Sequence, residues 1–177
     1  MPWIARLLPV AALMAVGIGC GAGHVAFTPA LAEQLSDEEL KSVQFYVSGK
    51  IVLHRDVSSS GKSVTPRGKI LLENGVQIEE VLITKGSPGV FVDQDKGRSI
   101  SVSFEPPVEK VESFLKFHAE NRASPYYLIT QIQRYGPEQF NVQSGLKKAY
   151  VEVDADRLDS INASRRTAPG RVVGGPN

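Results

Sequence analysis

An alternation of apolar and polar residues between Val43 and Asp56 is the feature that most constrains the fold of this chain. The apolar residues recur on one side of the segment: Val43, Phe45, Val47, Ile51 and Leu53. Because the side chains of a β-strand point alternately to its two faces, this spacing predicts a long strand with one buried face. Gly49 lies in its middle and favours a bulge or a bend, which lets a sheet curl.

Two β-hairpins are predicted further along the chain. Asn74-Gly75 separates two apolar runs, and both residue types accept the positive φ of a two-residue hairpin turn. That turn places the following residues opposite each other: Leu71 and Ile78, and Lys69 and Glu80. A second hairpin joins residues 90–92 to residues 100–104. Its returning strand carries three alternating serines, predicted to form a solvated outer face: Ser99, Ser101 and Ser103.

Helix signals are fewer. Ser36 and Glu39 form a capping-box pattern, which predicts a short helix running into Leu40. After Pro106-Pro107, five residues recur at a spacing near 3.6, which predicts an accessory helix of about three turns. They are Val108, Val111, Phe114, Leu115 and His118. A strand is the alternative there, since three residues also alternate: Phe114, Lys116 and His118.

These patterns predict a mainly β fold. Further short strands are expected at residues 126–132, 140–142 and 149–153, and Leu158 and Ile161 are expected to close the domain through a short turn or helix. About eight short strands with closely spaced turn signals favour an antiparallel β-sandwich or barrel with one accessory helix. We place this single domain at residues 36–165 and a flexible tail at 166–177.

Charge and cysteine content narrow the class of protein. Arg6 is the only charged residue in the first 19, so the remaining Lys+Arg equal the 19 Asp+Glu. The balance of charges and the absence of a basic stripe argue against nucleic-acid binding.

The first residues have the parts of an export signal: a short region with Arg6, an apolar run over Leu7–Gly19, and small residues after it. Cys20, the only cysteine, ends this apolar run.

Residues 17–21, Gly-Ile-Gly-Cys-Gly, resemble the lipobox of bacterial lipoprotein precursors, although Gly17 stands where that motif usually has a large apolar residue. The resemblance covers about the first 21 residues and names no domain family. It implies a signal peptide at 1–19, lipidation of Cys20, a tether over residues 20–35 and a membrane-anchored product. Ala22, which is not aspartate, implies transfer to the outer membrane.

Two other outcomes of export stay open. Ala30-Leu31-Ala32 is an A-x-A pattern, and cleavage after it would give a soluble periplasmic or secreted protein beginning at Glu33. The apolar run also allows an uncleaved anchor. We therefore expect an exported, lipid-anchored envelope protein whose β domain binds or scaffolds an envelope protein or glycan. The alternatives are a soluble barrel that binds a small ligand, and a hydrolase.

No motif in the chain identifies catalysis. The chain lacks a G-x-S-x-G nucleophile motif and short-range metal-ligand spacings, so we expect no enzyme activity, no metal and no cofactor. The hydrolase alternative needs a non-sequential site built from His54, His118 and an aspartate. The aspartates after residue 153 fit a helix cap better than a cation site.

A cluster of aromatic and amide residues is the remaining candidate. Tyrosines and glutamines clustered around one predicted strand suit contact with sugar, peptide or protein. The predicted surface consists of Tyr126, Tyr127, Gln131, Gln133 and Tyr135. The alternative is a strand whose tyrosine rings partly cover the core.

Overall fold

A computed structural model of the protein describes residues 23–57, 69–73, 76–95, 97–107 and 111–164. Within these ranges the chain forms eleven strands and three helices. The strands are β1 (His24–Ala26), β2 (Phe45–Val47), β3 (Ile51–Asp56), β4 (Lys69–Glu73), β5 (Val76–Ile83), β6 (Pro88–Asp95), β7 (Ser99–Ser103), β8 (Leu115–His118), β9 (Ile132–Tyr135), β10 (Glu138–Ser144) and β11 (Val151–Asp154). The helices are α1 (Pro29–Ala32), α2 (Asp37–Ser42) and α3 (Ala155–Ser164).

The strands form two antiparallel sheets. The six-stranded sheet has the order β1-β11-β2-β6-β7-β8, and the five-stranded sheet has the order β4-β5-β3-β10-β9. They pack as a sandwich around a shared hydrophobic core and do not form a closed barrel. The largest fully buried side chains are Tyr126, Tyr135, Phe27, Phe45, Phe117 and Phe140. The predicted mainly β, antiparallel architecture is confirmed.

The alternating segment from Val43 to Asp56 is not the single long strand that was predicted; it forms two strands, β2 and β3, which lie in different sheets. Its five apolar residues are between 0% and 3% exposed: Val43, Phe45, Val47, Ile51 and Leu53. The predicted bend at Gly49 is also present, because β2 belongs to the six-stranded sheet and β3 to the five-stranded sheet. One segment therefore contributes to both halves of the core.

The first predicted hairpin has the predicted register. β4 pairs with β5, with Leu71 opposite Ile78 and Lys69 opposite Glu80. Asn74 and Gly75 themselves lie outside the described residues.

The second hairpin forms between β6 and β7, but its serine face is not solvated. Three serines are 2%, 5% and 2% exposed, respectively: Ser99, Ser101 and Ser103. The reason is that β7 is an inner strand, so Ser99 and Ser101 lie between longer cross-strand neighbours, and Ser103 Oγ donates to the Glu105 and Ser113 carbonyls at 2.9 Å and 2.7 Å. Ser101, for example, pairs with Asp93 on β6 and with Lys116 on β8.

The predicted helix after Pro106-Pro107 is wrong where the structure describes it. Residues 108–110 lie outside the described ranges, and Leu115–His118 form β8. Leu115 and Phe117 are fully buried, while Lys116 between them is exposed. Pairing with β7 decides the conformation, because a strand at this position buries both apolar side chains against the core.

The accessory helices lie at other places. α2 has the predicted capping box: the Glu39 amide donates to Ser36 Oγ at 3.3 Å, and the Ser36 amide donates to Glu39 Oε2 at 2.7 Å. α3 begins after Asp154, whose Oδ1 accepts from the Asp156 amide at 2.9 Å. Leu158 and Ile161 on α3 are each 7% exposed and close the core as predicted. In the described ranges, no helix has the length and apolarity needed to cross a bilayer.

The domain begins earlier than predicted, and residues 24–35 are not a tether. β1 pairs with β11, and Phe27, which follows β1, is 0% exposed. α1 and the turn after it add Ala32 and Leu35 to the core, at 2% and 8% exposure. These apolar side chains complete the core, which is why the segment orders against it. The predicted tail at 166–177 lies outside the described residues.

Candidate functional site

The five residues of the predicted aromatic surface do not share one surface. Tyr126, Tyr135 and Gln133 are 0%, 1% and 4% exposed. Of the five, Tyr127 is half-buried, its ring edge-on to Tyr150 at 5.4 Å, and Gln131 is exposed. The segment around Tyr127 is not a strand of its own; it bridges His118 to Tyr150 and so links β8 to the start of β11. That position turns every second side chain into the core.

Tyr126 is a structural residue. Its ring stacks on Phe27 with centroids 5.8 Å apart, and its hydroxyl has no hydrogen-bond partner within the described part of the chain. Burial, with a smaller contribution from the Glu33 charge, raises the pKa of Tyr126 to about 12. A neutral, enclosed phenol of this kind cannot contact an external partner.

The histidines of the hydrolase alternative do not come together. His54 lies on β3 of the five-stranded sheet, with Nε2 2.9 Å from Glu80 Oε2. His118 lies on β8 of the other sheet, where burial and the nearby Lys116 lower its pKa. Both side chains alternate with buried neighbours and so face outward from different sheets. Among the described residues, no group of three His, Cys, Asp or Glu side chains is placed to hold a metal.

A groove over the outer face of the five-stranded sheet is the strongest candidate site. It consists of two adjoining clefts of about 510 Å³ and 400 Å³, which share Arg55, Asp56 and Asn141. The larger cleft is also lined by Ile132, Arg134, Pro137, Glu138, Gln139 and Phe140. The smaller one is also lined by His54, Val76, Ile78 and Gln143. Because the clefts share residues, we treat them as one site, called the sheet groove below.

Strand register brings the groove residues together. Asn141 on β10 pairs with Ile132 on β9 and with His54 on β3, so these three side chains form a row across the sheet. Arg134 pairs with Gln139 two residues away along β9 and β10, which adds a parallel row. The alternation of β9 and β10 sends these side chains outward and buries Gln133, Tyr135 and Phe140.

A buried ion pair supports the groove from below. Arg55 Nε donates to Glu79 Oε2 at 2.7 Å, and these residues are 6% and 0% exposed. Arg55 Nη1 lies 3.5 Å from Glu138 Oε2, and its guanidinium carbon is 5.6 Å from the centre of the Phe140 ring. A buried charge is tolerated only when it is paired, so this arrangement fixes the Arg55 guanidinium at the groove.

Four polar side chains of the groove are exposed and make no hydrogen bond or ion pair within the described residues. They are Arg134, Gln139, Asn141 and Gln143. The formal charges along the lining balance, with Arg55 and Arg134 against Asp56 and Glu138. The site therefore offers directional hydrogen bonds without a strong net field.

Sequence reasoning missed this groove for a physical reason. Its residues come from β3, β9 and β10, which only sheet pairing brings together. One signal was present: Arg55 continues the apolar face of Ile51 and Leu53 two residues further on. A charge on a buried face requires a buried partner, and that partner is Glu79.

Comparison of the chain with protein-family models, with curated proteins and with solved structures finds no match in any of the three.

Proposed function

We propose that this protein is an exported, lipid-anchored protein of the bacterial cell envelope whose β-sandwich binds or scaffolds another envelope component. Cys20 receives the lipid and becomes the N-terminus when residues 1–19 are removed, and the outer membrane is the favoured destination. The partner is an envelope glycan or protein. The protein acts by binding rather than by catalysis, and nucleic acid is not its ligand.

The incorporation of residues 24–35 into the domain is the observation that supports this proposal. A chain that begins at Cys20 keeps β1, α1 and Phe27. A chain cut after Ala32 loses all three, although the Phe27 amide donates to the Val151 carbonyl at 2.9 Å and its carbonyl accepts from the Tyr126 amide at 3.2 Å. Loss of a fully buried phenylalanine alone costs roughly 3–5 kcal/mol.

The soluble alternative is weakened by the same loss of structure. Pro29–Ala32 form α1, and the Ala30 amide donates to the Arg122 carbonyl at 3.0 Å, so cleavage after Ala32 would remove this helix and its contact with the rest of the domain. The hydrolase alternative has no support from geometry, since His54 and His118 lie on different sheets. A binding role is supported by the sheet groove and its exposed polar side chains.

Metabolic labelling with an alkynyl fatty acid tests the anchor. Cells producing the wild-type protein should yield a labelled band, and Cys20→Ala should abolish the label. Ala30→Gln is the matched control, because it disrupts the rival cleavage pattern at a partly exposed side chain and should leave labelling unchanged. An unlabelled wild-type protein whose mature N-terminus is Glu33 by mass spectrometry would contradict the proposal.

A further inference from the structure

We propose that the sheet groove binds an uncharged oligosaccharide, which specifies the ligand class of the binding role proposed above and rests on it. The two adjoining clefts form an open, elongated site that crosses β9, β10 and β3 and reaches β5. Each cleft lies in the size range of small-molecule sites, and their shared residues allow one ligand to span both. This shape suits a chain of several sugar rings better than a compact metabolite.

The side-chain chemistry of the groove matches a polyhydroxylated ligand. Arg134, Gln139 and Asn141 carry planar groups with donors or acceptors at fixed separations, which can bind two neighbouring hydroxyls at once. Their exposure leaves these groups accessible to solvent and to a ligand. Ile132, which is 56% exposed in the same row as Asn141, offers an apolar surface for the C–H face of a sugar ring.

The charge pattern selects against charged polymers. Arg134 lies across the sheet from Gln139, and Asp56 lines the same cleft, so the exposed guanidinium has a carboxylate in its surroundings. His54 contacts Glu80, and Arg55 contacts Glu79 and Glu138. The lining itself has two arginines and two carboxylates, and Glu79 and Glu80 beside it are each hydrogen-bonded, so the groove has no excess of positive charge to attract a polyanion, whereas a neutral sugar needs only local hydrogen bonds.

Nuclear magnetic resonance titration tests the proposal. The chain from residue 20 onward with Cys20→Ala keeps every described residue and carries no lipid. It is titrated with cellotetraose and with chitotetraose, two neutral tetrasaccharides that differ in N-acetylation. Saturable shifts of the backbone amide signals of Arg134, Gln139 and Asn141 are expected with at least one of them.

Variants locate the binding. Arg134→Ala and Asn141→Ala should each weaken the affinity at least fivefold, since each removes polar contacts with the sugar. Arg98→Ala is the matched control, because Arg98 is another exposed arginine whose side chain makes no hydrogen bond or ion pair within the described residues. It should leave the affinity unchanged. Superimposable amide spectra away from the mutated site verify that each variant is folded.

Three results would overturn the proposal. The first is that neither sugar shifts the amide signal of any groove residue at about 10 mM, a concentration that detects even weak binding. The second is that the shifts map to residues outside the groove and persist in Arg134→Ala. The third is that the acidic tetragalacturonate binds more than tenfold tighter than both neutral sugars. Because this chain lacks Cys20, failure here leaves the lipid anchor standing, and failure of the labelling experiment leaves sugar binding standing.

Discussion

Glu79 shows how much one residue of the buried ion pair matters for this fold. Its carboxylate is fully buried and accepts the 2.7 Å hydrogen bond from Arg55. Glu79→Ala leaves the guanidinium buried without its principal partner, so we expect the free energy of unfolding to fall by about 3–5 kcal/mol in urea denaturation. Glu80→Ala is the control: its side chain is 24% exposed, so the loss of its contact with His54 should cost about 1 kcal/mol or less. Equal, small losses in both variants would contradict this account.

Tyr126 has a second, pH-dependent effect at the same scale. Its pKa is 10.0 when unperturbed and about 12 in the fold, so the folded state favours the protonated phenol. This contribution to stability is complete below pH 10 and is lost as the pH rises towards about 12. At pH 7 the free energy of unfolding of Tyr126→Phe should lie within about 1 kcal/mol of the wild-type value, because the hydroxyl that the substitution removes has no hydrogen-bond partner among the described residues. It should also lose less stability than wild type between pH 10 and pH 12 in denaturant titrations. A steeper alkaline loss in the variant would refute the assignment.

Among the elements, β1 and α1 are the ones that cleavage after Ala32 would remove, so their contribution to folding can be measured directly. A chain beginning at Glu33 lacks β1, Phe27 and all of α1, so we expect it to lose the cooperative thermal transition of the chain that begins at residue 20 with Cys20→Ala. Circular dichroism melts compare the two. A chain that begins at residue 23 is the control and should melt like the longer one. A truncated chain with an unchanged melting temperature would show that β1 is dispensable and would revive cleavage after Ala32.

Some elements could be predicted from the local sequence pattern, and others could not. The β4–β5 register and the α2 capping box were predictable, because each depends on residues close together in the chain. The segment ending in β8 was predicted wrongly as a helix, because Phe114 and His118 fit both a helical spacing and a strand alternation in isolation. Pairing with β7 resolves the ambiguity, and that contact is not local. The buried serines of β7 follow from its inner position in the sheet, which no local pattern reports.

At the scale of the whole molecule, the fold class was predictable because many weak local signals agreed. The sheet order was not predictable, since β3 pairs with β10 across about half of the chain length and β1 pairs with β11 across still more of it. The sheet groove could not be predicted for the same reason, because it depends on long-range strand pairing. Arg55, Arg134 and Asn141 become neighbours only after the strands pair, so their side chains look like unrelated surface residues in the sequence.

The early start of the domain sets how far a lipidated form can reach. Only Gly21 and Ala22 separate Cys20 from Gly23, whose carbonyl already accepts from the Ala155 amide at 3.2 Å. At roughly 3.3–3.6 Å per residue, three steps of chain span about 10 Å. If Cys20 carries lipid, a tether this short would hold the sandwich against the lipid headgroups. Its ligand would then have to be part of the membrane surface or come within a few ångströms of it.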